Sequence, residues 1–449
     1  MASIVDELRR TFDTGRTRTL QWRQAQLDGL LRMLAEHEAD LIAAVISDHR
    51  RTHAEAWLGD VLTVSAEAKH AQRELRRWMR PVRTAVPATL KPGKAWSEFE
   101  PRGVVLIIGP WNYPIHLLLV PLVDALAAGN CVVLKPSEFA PACAELLADL
   151  LPRYLDAEAV AVVPGDASVS EALIDQAFDH CFFTGSPEVG KAVMAAAARH
   201  LTPVTLELGG KCPVVVAADA NLDVAAKRIA WAKLMGSGQT CVAPDYVLAD
   251  RRVMPLFVEK LTAALTELAP APMMPIVNDR HTKRIAHLIA TAGGRVVLGG
   301  TADLDSCAVA PTVIIEPAPD AAISNEEIFG PVLPVYAVDS ITDAVAAISA
   351  RTKPLATYVF TSDRGVEAEI RRRVSTGGIV VNQLMQHLGV PGLPFGGVGT
   401  SGMGAYHGRF GFETFSHRKA VLRRTVWPEF KFAYPPYSPR MEKLIRRLT

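Results

Sequence analysis

The sequence predicts an α/β protein that is built on two doubly wound parallel sheets. From residue 103 to about residue 207, short apolar strands alternate with helical stretches, and a second block with the same alternation runs from residue 213 to about residue 381. Short apolar strands that are separated by helices form a parallel sheet covered on both faces. The length of 449 residues agrees with two or three domains.

The first block has the layout of a nucleotide-binding sheet. It follows a segment, up to about residue 80, in which apolar residues recur at three- and four-residue steps, as in amphipathic helices. A proline-rich stretch from Pro81 to Pro101 separates the two and predicts a hairpin that leaves the body of the domain. The pattern then predicts strands over 103–108, 131–134, 160–163 and 181–184, and helices over 142–155, 168–176 and 187–199.

The second block predicts another α/β domain. Its strands are expected around Val214, Val247, Val313, Tyr358 and Ile379. The chain then becomes glycine-rich and gives one more strand-like run over 415–422.

The composition argues against several classes of protein. The formal net charge is +1, so neither nucleic acid nor an anionic membrane is an expected partner. The apolar stretch over 115–134 contains Asp124 and Asn130, which favours a buried helix and strand over a membrane span. The six cysteines show neither metal-ligand spacing nor a disulfide pattern, so we expect no metal and a reducing, cytoplasmic location.

One glycine motif has the spacing of a dinucleotide fingerprint. Gly397, Gly399 and Gly402 form a G-x-G-x-x-G pattern. That pattern indicates a phosphate site only between a strand and a helix, and no strand is predicted before it. We therefore interpret it as a tightly turned loop.

A better phosphate site is predicted at the end of the strand over 181–184. Gly185 makes the turn, Ser186 is a good N-cap and Gly190 lies one turn into the next helix. Free N–H groups at such a helix N-terminus suit a pyrophosphate. An ordinary capped helix accounts for the same pattern equally well.

Three further residues are candidates for catalysis. Asn112 lies on a turn between two prolines, just past a strand, where its amide could bind an oxyanion, although asparagine is common in turns of any kind. Glu207 interrupts an apolar strand directly before two glycines, and Cys241 closes a Gly/Ser loop. A thiol near a carboxylate suggests a nucleophile and its base. A buried structural cysteine and an ion-paired glutamate remain the alternative.

The ordered motifs along the chain resemble those of the aldehyde dehydrogenase superfamily, and within it the class 3 branch. The resemblance covers residues from about 20 to 425 and rests on seven motifs: Pro110-Trp-Asn-Tyr-Pro114, Leu134-Lys-Pro-Ser-Glu138, Phe183-Thr-Gly-Ser186 with Val189-Gly190, Leu206-Glu-Leu-Gly-Gly-Lys211, Gly238-Gln-Thr-Cys241, Glu326-Glu-Ile-Phe-Gly-Pro331 and Leu393-Pro-Phe-Gly-Gly-Val-Gly399 with Ser401-Gly402. The branch is suggested by the segments over 194–205, 241–246 and 402–407.

The resemblance implies NAD(P)-dependent oxidation of an aldehyde to a carboxylic acid. Cys241 would be the nucleophile, Asn112 and the Cys241 amide would bind the oxyanion, and Glu207 would activate water for thioester hydrolysis. The implied contacts to NAD or NADP are Trp111, Lys135, Glu138, Gly185, Ser186, Gly190, Glu327 and Phe329. Lys135 is expected at the adenosine ribose, Glu327 at the nicotinamide ribose and Phe329 near the nicotinamide ring.

The resemblance also implies a division of the chain and a partner. It gives a cofactor-binding domain over 1–80 and 101–207, a catalytic domain over 208–390, a β bridging element over 81–100 and 405–425, and a tail over 426–449. Class 3 relatives are dimers, and the family favours medium-chain aliphatic and aromatic aldehydes.

Several points stay open at the level of sequence. His387 matches a family histidine for which a structural hydrogen bond is expected, and the connection over 268–276 is expected to be short and to affect the surface more than the chemistry. A coenzyme A-acylating enzyme and a plain cysteine hydrolase are the competing functions. Glu207 argues against the first, and the implied cofactor contacts argue against the second.

Overall fold

The computed structural model describes residues 1–87, 90–270, 273–427, 429, 434–436 and 438–448. The chain begins with five helices, as the apolar spacing predicts: α1 Ala2–Asp13, α2 Leu20–Glu36, α3 Glu38–His49, α4 His53–Ala56 and α5 Leu62–Trp78. The segment Trp57–Val61 is a π-helical turn that joins α4 to α5. Leu27, Leu30 and Leu34 on α2 are buried in the main core, which explains why the helices pack on the body of the protein.

The first sheet has six strands in the order β17-β7-β6-β3-β4-β5. Its strands are β3 Val104–Ile108, β4 Cys131–Lys135, β5 Val160–Val162, β6 His180–Gly185, β7 Val204–Leu208 and β17 Gly402–Met403. The helices between them are α6 His116–Ala128, α7 Pro141–Tyr154, α8 Ala167–Ile174 and α9 Pro187–Ala198. All pairs are parallel except β17 with β7, so the predicted parallel sheet is confirmed, with a short antiparallel strand added at its edge.

The second sheet has seven strands in the order β10-β13-β14-β9-β8-β15-β16. Its strands are β8 Pro213–Val216, β9 Tyr246–Asp250, β10 Arg295–Leu298, β13 Thr312–Ile315, β14 Val332–Val338, β15 Ala356–Phe360 and β16 Gly378–Val381. A small hairpin, β11 Ala302–Asp303 and β12 Ala308–Val309, lies beside it. The helices of this half are α10 Leu222–Leu234, α11 Met254–Leu268, α12 Asp279–Ala290, α13 Ala322–Asn325, α14 Ile341–Ser349 and α15 Arg364–Arg373. All five predicted strands are present, and β10 and β14 are additional.

The third sheet combines two distant segments in the order β1-β2-β18. Its strands are β1 Val82–Thr84, β2 Gly93–Pro101 and β18 Ser416–Arg424. The hairpin from the proline-rich stretch and the strand after residue 415 were predicted to share one element, and they pair over nine residues. Residues 88 and 89 of the hairpin lie outside the described residues.

The segment before β18 does not belong to that sheet. It forms α16, Gly408–Thr414, and Phe412 of this helix is buried against Trp78 and Phe99 at ring distances of 5.7 and 5.5 Å. The expected bridging segment over 405–425 is therefore divided, because its apolar first part packs against α5 and its charged second part forms a strand. The tail includes one more helix, α17 Pro439–Leu448.

The apolar stretch over 115–134 forms α6 and β4, as predicted. Every residue of α6 is buried, Asp124 included. In the part of the chain that the structure describes, no helix combines the length and the apolar character needed to cross a membrane.

The strand ends place the candidate residues together. Asn112, Lys135 and Ser186 follow or end β3, β4 and β6 of the first sheet, and Glu207 is one residue before the end of β7. Parallel strands present their carboxyl ends at the same edge, which is where open α/β sheets bind ligands.

Candidate active site

Cys241 lies at the end of a tight turn that follows α10. Gly236, Ser237 and Gly238 all have left-handed backbones, with φ of 56°, 53° and 71°. A Cβ on Gly238 would lie 2.3 Å from the Gly330 carbonyl oxygen, so this position requires glycine. At this turn the chain leaves the direction of α10 and reverses. The Cys241 thiol therefore reaches a cavity.

Gln239 holds this turn from inside the protein. Its side chain is fully buried and donates to the carbonyl oxygens of Gly236 (3.2 Å) and Pro275 (3.0 Å). Its Oε1 atom accepts from the Val277 amide at 3.0 Å. The connection around residue 275 thus supports the cysteine loop, which corrects the expectation that it affects mainly the surface. Residues 271 and 272 of that connection lie outside the described residues.

Asn112 is placed against the same loop. The side chain is 4% exposed, and Nδ2 donates to the Gln239 carbonyl oxygen at 3.0 Å. The next residue, Tyr113, shares a 2.9 Å hydrogen bond with the Thr240 hydroxyl. Because an amide nitrogen carries two hydrogens, Asn112 can hold the loop with one and bind a substrate oxygen with the other.

A buried ion pair braces the Asn112 turn. Arg51 Nη1 lies 2.9 Å from Asp60 Oδ2, both side chains are at most 1% exposed, and Arg51 Nη2 donates to the Asn112 carbonyl oxygen. The other Asp60 oxygen accepts from the amides of Ile115 and His116 at 3.1 Å each. This brace was not predicted, because Arg51 stands 61 positions before its partner on the turn and nothing in its local pattern distinguishes it from a surface arginine.

Replacing Arg51 with methionine should destabilise the protein strongly. The change leaves the Asp60 carboxylate buried without its counter-charge, a loss that typically costs about 3–5 kcal/mol. The free energy of unfolding, measured by urea denaturation, should fall by about that amount. Arg50→Met, at the exposed neighbouring arginine, is the control and should change stability little. A loss below about 1 kcal/mol for Arg51→Met would show that the pair is not a brace.

The surroundings of Cys241 keep its thiol protonated in the resting protein. Burial, with the negative charges of Glu327 and Glu207, raises the pKa of the thiol to about 12, while the backbone amides of Cys241 and Val242 lower it. These effects place both carboxylates within electrostatic range of the sulfur. The amide dipoles alone do not produce the thiolate, so a base must take the proton.

Glu207 is a buried carboxylate without a fixed partner. It is 3% exposed, neither carboxylate oxygen has a hydrogen-bond partner among the described residues, and burial raises its pKa well above the usual range. Across the sheet it pairs with Gly402 of β17, where a Cβ would lie 2.3 Å from the Leu206 carbonyl oxygen. The glycine-rich segment that mimics a dinucleotide fingerprint therefore packs along the strand of Glu207.

Glu327 lies against the glycines that follow Glu207. A Cβ on Gly209 would be 2.1 Å from Glu327 Oε2, and the Gly210 backbone bonds to the same carboxyl group. Burial and the nearby Asp245 raise the pKa of Glu327 to about 8. The Arg284 guanidinium holds the segment by donating to the Glu327 carbonyl oxygen at 3.0 Å.

A second buried ion pair fixes the segment that carries Glu327. Lys211 Nζ bonds to Asp245 Oδ1 and donates to the carbonyl oxygens of Ile323 (2.9 Å) and Glu326 (2.7 Å). Asp245 Oδ2 accepts from the Ile328 amide at 2.9 Å. The motif that contains Lys211 was recognised in the sequence, but this supporting role was not.

The residues expected at a dinucleotide fit that ligand. Lys135 is 1% exposed, and its ammonium group bonds to the Pro136 carbonyl oxygen (2.7 Å) and to Glu138 Oε2 (3.3 Å), which leaves one donor for a ribose hydroxyl. Ser186 caps α9 by accepting from the Val189 amide at 3.4 Å, as predicted.

Glycines and aromatic rings also lie among the residues expected at the cofactor, and the glycines allow neighbouring side chains to pack directly against the backbone. A Cβ on Gly190 would lie 2.7 Å from Leu208, and one on Gly185 would lie 2.4 Å from Phe183. Trp111 and Phe329, which were expected at the pyrophosphate and the nicotinamide, have ring centroids 5.7 Å apart in an edge-to-face arrangement.

A cavity of about 470 Å³ reaches Cys241. Its lining is mostly apolar and includes Leu58, Tyr113, Leu117, Trp231, Leu234, Met235, Val242, Leu268, Phe395 and Tyr406. Such a lining suits a substrate with a hydrocarbon or aromatic body.

Comparisons with known proteins agree with this geometry. The aldehyde dehydrogenase family model matches residues 1–421. The chain belongs to the aldehyde dehydrogenase family. It is 44% identical over 454 residues to the dimeric NADP-preferring aldehyde dehydrogenase of Rattus norvegicus, covering 99% of this chain and all of the relative, and 42% identical over 456 residues to aldehyde dehydrogenase family 3 member H1 of Arabidopsis thaliana, covering 100% and 94%.

A solved structure gives the same result for the fold. The structure of the substrate-bound state of Staphylococcus aureus AldH superimposes with a TM-score of 0.96 at 36% identity, covering 100% of this chain and 99% of the other. The predicted family, its class 3 branch and the α/β fold are confirmed. The activity of this family is the oxidation of aldehydes to carboxylic acids with NAD or NADP, so the protein is an aldehyde dehydrogenase.

The surroundings of His387 bear on its expected hydrogen bond. Its ring packs against Phe395 at a centroid distance of 5.8 Å, and neither ring nitrogen makes a hydrogen bond of ordinary geometry among the described residues. Burial, with the nearby His407, lowers its pKa to about 4, while a contact with the Met385 backbone opposes that shift. The expected structural hydrogen bond stays a prediction, and the ring packs as a neutral group beside the cavity.

Proposed function

We propose that this aldehyde dehydrogenase oxidises medium-chain aliphatic or aromatic aldehydes through a covalent thioester on Cys241. The observation that supports this proposal is a largely apolar cavity of about 470 Å³ that reaches Cys241, with Asn112 bonded to the adjacent Gln239 carbonyl oxygen and Glu207 near enough for its charge to raise the thiol pKa.

The first step is the attack of the Cys241 sulfur on the aldehyde carbon. The thiol proton passes to a solvent base as the sulfur attacks, because the raised pKa of Cys241 leaves little thiolate in the resting protein. The carbonyl oxygen becomes an oxyanion, which the second N–H of Asn112 and the Cys241 amide stabilise. Oxidised NAD or NADP supplies the hydride acceptor.

The second step is hydrolysis of the thioester. Glu207 takes a proton from water, and the resulting hydroxide attacks the thioester carbon. The carbon–sulfur bond then breaks, the acid is released, and the leaving thiolate takes the proton back from Glu207, which restores the Cys241 thiol. The absence of a fixed partner in the described structure leaves both oxygens of Glu207 available for that water.

The cofactor is held by groups that do not react. We propose that Lys135 and Glu138 bind the adenosine ribose, that the α9 N-terminus at Ser186 binds the pyrophosphate, and that Glu327 binds the nicotinamide ribose. Glu138 would repel the extra phosphate of NADP, while the relative in Rattus norvegicus is NADP-preferring. We therefore propose use of both cofactors, with Glu138 reducing the affinity for NADP.

We also propose that the protein is a cytoplasmic homodimer. The third sheet has β1 and β18 as its outer strands, whose edges can pair with a second copy. The relative in Rattus norvegicus is named dimeric. The six cysteines are all free, which suits a reducing compartment.

A substrate and cofactor panel tests the proposed function. Formation of reduced cofactor should be measured with aliphatic aldehydes of increasing length and with benzaldehyde, using NAD and NADP, with and without coenzyme A. We expect turnover without coenzyme A and a kcat/KM that rises with chain length until the cavity is filled. Turnover that requires coenzyme A would replace the proposal with acyl transfer, and no dependence on chain length would contradict the apolar cavity as the substrate site.

Replacing Asn112 with alanine should reduce kcat by roughly 10²–10³-fold. This is the usual effect, about 2.7–4 kcal/mol, of removing one oxyanion donor. The rate should be measured in a single turnover, as formation of reduced cofactor. Asn325→Ala is the matched control, because that amide binds only the Pro319 and Ala321 carbonyl oxygens. A change below twofold in Asn112→Ala would remove this residue from the oxyanion site.

A further inference from the structure

A second, smaller cavity adjoins the substrate cavity on the side away from the cysteine loop. It has a volume of about 250 Å³ and is lined by Lys227, Arg228, Trp231, Leu268, Gln383 and Gln386. Trp231, Leu268 and Gln386 line both cavities. The two cavities are therefore neighbours that border on the same three side chains, and a long substrate that passes between these side chains would reach Arg228.

Helix α10 connects the two cavities with the catalytic loop. Arg228 lines the smaller cavity, and Trp231 lines both cavities. Leu234 and Met235, at the end of the helix, line the larger cavity before the chain turns toward Cys241. The seven steps from Arg228 to Met235, at the rise of a helix, span roughly 10 Å. A group bound at Arg228 is thus about that distance, along the helix, from the residue that begins the cysteine loop.

Of the two cations that line the smaller cavity, Lys227 has a carboxylate partner and Arg228 has none among the described residues. Lys227 has a carboxylate near it, Glu267, at 4.0 Å, in an exposed pair. Arg228 donates to the Asn382 carbonyl oxygen, and no carboxylate lies within 4.0 Å of its guanidinium among the described residues. A guanidinium has five N–H donors, so most of those on Arg228 remain available.

No acidic side chain of the described lining opposes that charge at the smaller cavity. Its remaining polar residues, Gln383 and Gln386, are neutral. The acid that lines the larger cavity, Glu55, is occupied by the Thr52 hydroxyl at 2.9 Å and by the Gly236 amide at 3.4 Å, next to the cysteine loop. The field along the path therefore becomes positive with distance from Cys241.

We propose that Arg228 is a specificity residue that binds the distal carboxylate of an ω-oxo carboxylic acid whose aldehyde group reaches Cys241. This inference rests on the proposed function of the cavity. The apolar walls hold the methylene chain, and the planar guanidinium binds the carboxylate with two parallel hydrogen bonds. The aldehyde is oxidised as for any substrate, so the product is a dicarboxylic acid.

The test compares substrates that differ only at the distal end. Octanal, decanal and dodecanal should be assayed beside the ω-oxo acids of the same carbon number and the methyl esters of those acids. We expect the wild-type enzyme to favour each acid over its ester once the chain is long enough to reach Arg228. The preference should appear in KM rather than in kcat and should weaken at high salt, because the carboxylate is bound and does not react.

The variant Arg228→Gln should lower kcat/KM for the long ω-oxo acids about fivefold, as expected for a partly exposed charge pair. The alkanals should change less than twofold, which also reports that the variant is folded. Arg228→Lys should recover part of the loss because it restores the charge, and Lys227→Gln is the matched control at the neighbouring cation.

Two results would overturn the inference. One is an equal loss for acids and alkanals, which would assign Arg228 a structural role through Asn382. The other is no loss for either class, with wild-type enzyme indifferent to the carboxylate. If the alkanals themselves are not oxidised, the proposed function fails instead, so the two failures are distinguishable.

Discussion

Replacing Cys241 with alanine should abolish the formation of reduced cofactor from an aldehyde, lowering kcat by about 10⁴-fold or more. In the proposed mechanism the sulfur of Cys241 holds the substrate carbon covalently, and none of the other cysteines lines the cavity. Of the other five cysteines, Cys131, Cys143, Cys181 and Cys212 are buried, and Cys307 lies elsewhere on the chain without lining the cavity. Stopped-flow absorbance of reduced cofactor measures both the burst and the steady state.

The control for this prediction is Cys307→Ala, which removes the other partly exposed thiol. It should keep wild-type turnover. Cofactor binding by Cys241→Ala, followed by fluorescence, should be unchanged, because the proposed cofactor contacts involve other residues. Turnover above about one tenth of wild type in Cys241→Ala would show that the reaction does not proceed through a thioester at this position.

Replacing Glu207 with glutamine should slow the steady state by roughly 10²–10⁴-fold, the usual contribution of a general base. If its main role is to activate water, the first turnover still occurs. A rapid-mixing experiment should then show a burst of reduced cofactor close to one equivalent of enzyme, followed by a stalled rate. Glu171→Gln, at an exposed carboxylate on α8, is the control and should show neither effect.

The pH dependence separates the two possible roles of Glu207. Its raised pKa means that the carboxylate form, which accepts protons, increases as the pH rises, so wild-type hydrolysis of the thioester should rise through that pKa and then level off. Glu207→Gln should lose this rise. The burst of the variant should move to lower pH, since one of the charges that raise the pKa of Cys241 is gone. A burst that disappears altogether would assign Glu207 to activation of the thiol.

The alternation of strands and helices was predictable because most strands of the two large sheets are buried on both faces and read as apolar runs. The central strand β14 was not predicted, because a proline interrupts its apolar run. Pro334 lies within β14, paired opposite Ile314, and proline removes a backbone donor that a central strand normally uses. The two-residue strand β17 is too short for any periodicity, and its position beside Glu207 depends on a contact across almost 200 residues.

The candidate catalytic residues could be located from their motifs, but the contacts that hold them in place could not. Nothing near Arg51 or Asp60 in the sequence indicates that they brace the turn of Asn112, and the role of Gln239 requires the connection around Pro275 to fold over it. These are long-range contacts of buried polar groups, and each depends on tertiary packing that local pattern does not encode. His387 is a different case, because the motif match predicts a hydrogen bond and does not indicate that the ring packs against Phe395.

The topology of the six-stranded and the three-stranded sheet also determines when the protein can complete them during its synthesis. The six-stranded sheet takes its edge strand from Gly402–Met403, and the three-stranded sheet takes its last strand from Ser416–Arg424. A ribosome that has just finished β7 needs roughly 10–40 s to reach that edge strand at ordinary elongation rates. During this interval the nascent chain exposes the unpaired backbone of β7, which can associate with other chains. Messages truncated by some fifty codons should therefore yield aggregating, inactive products even though every reactive side chain has been translated.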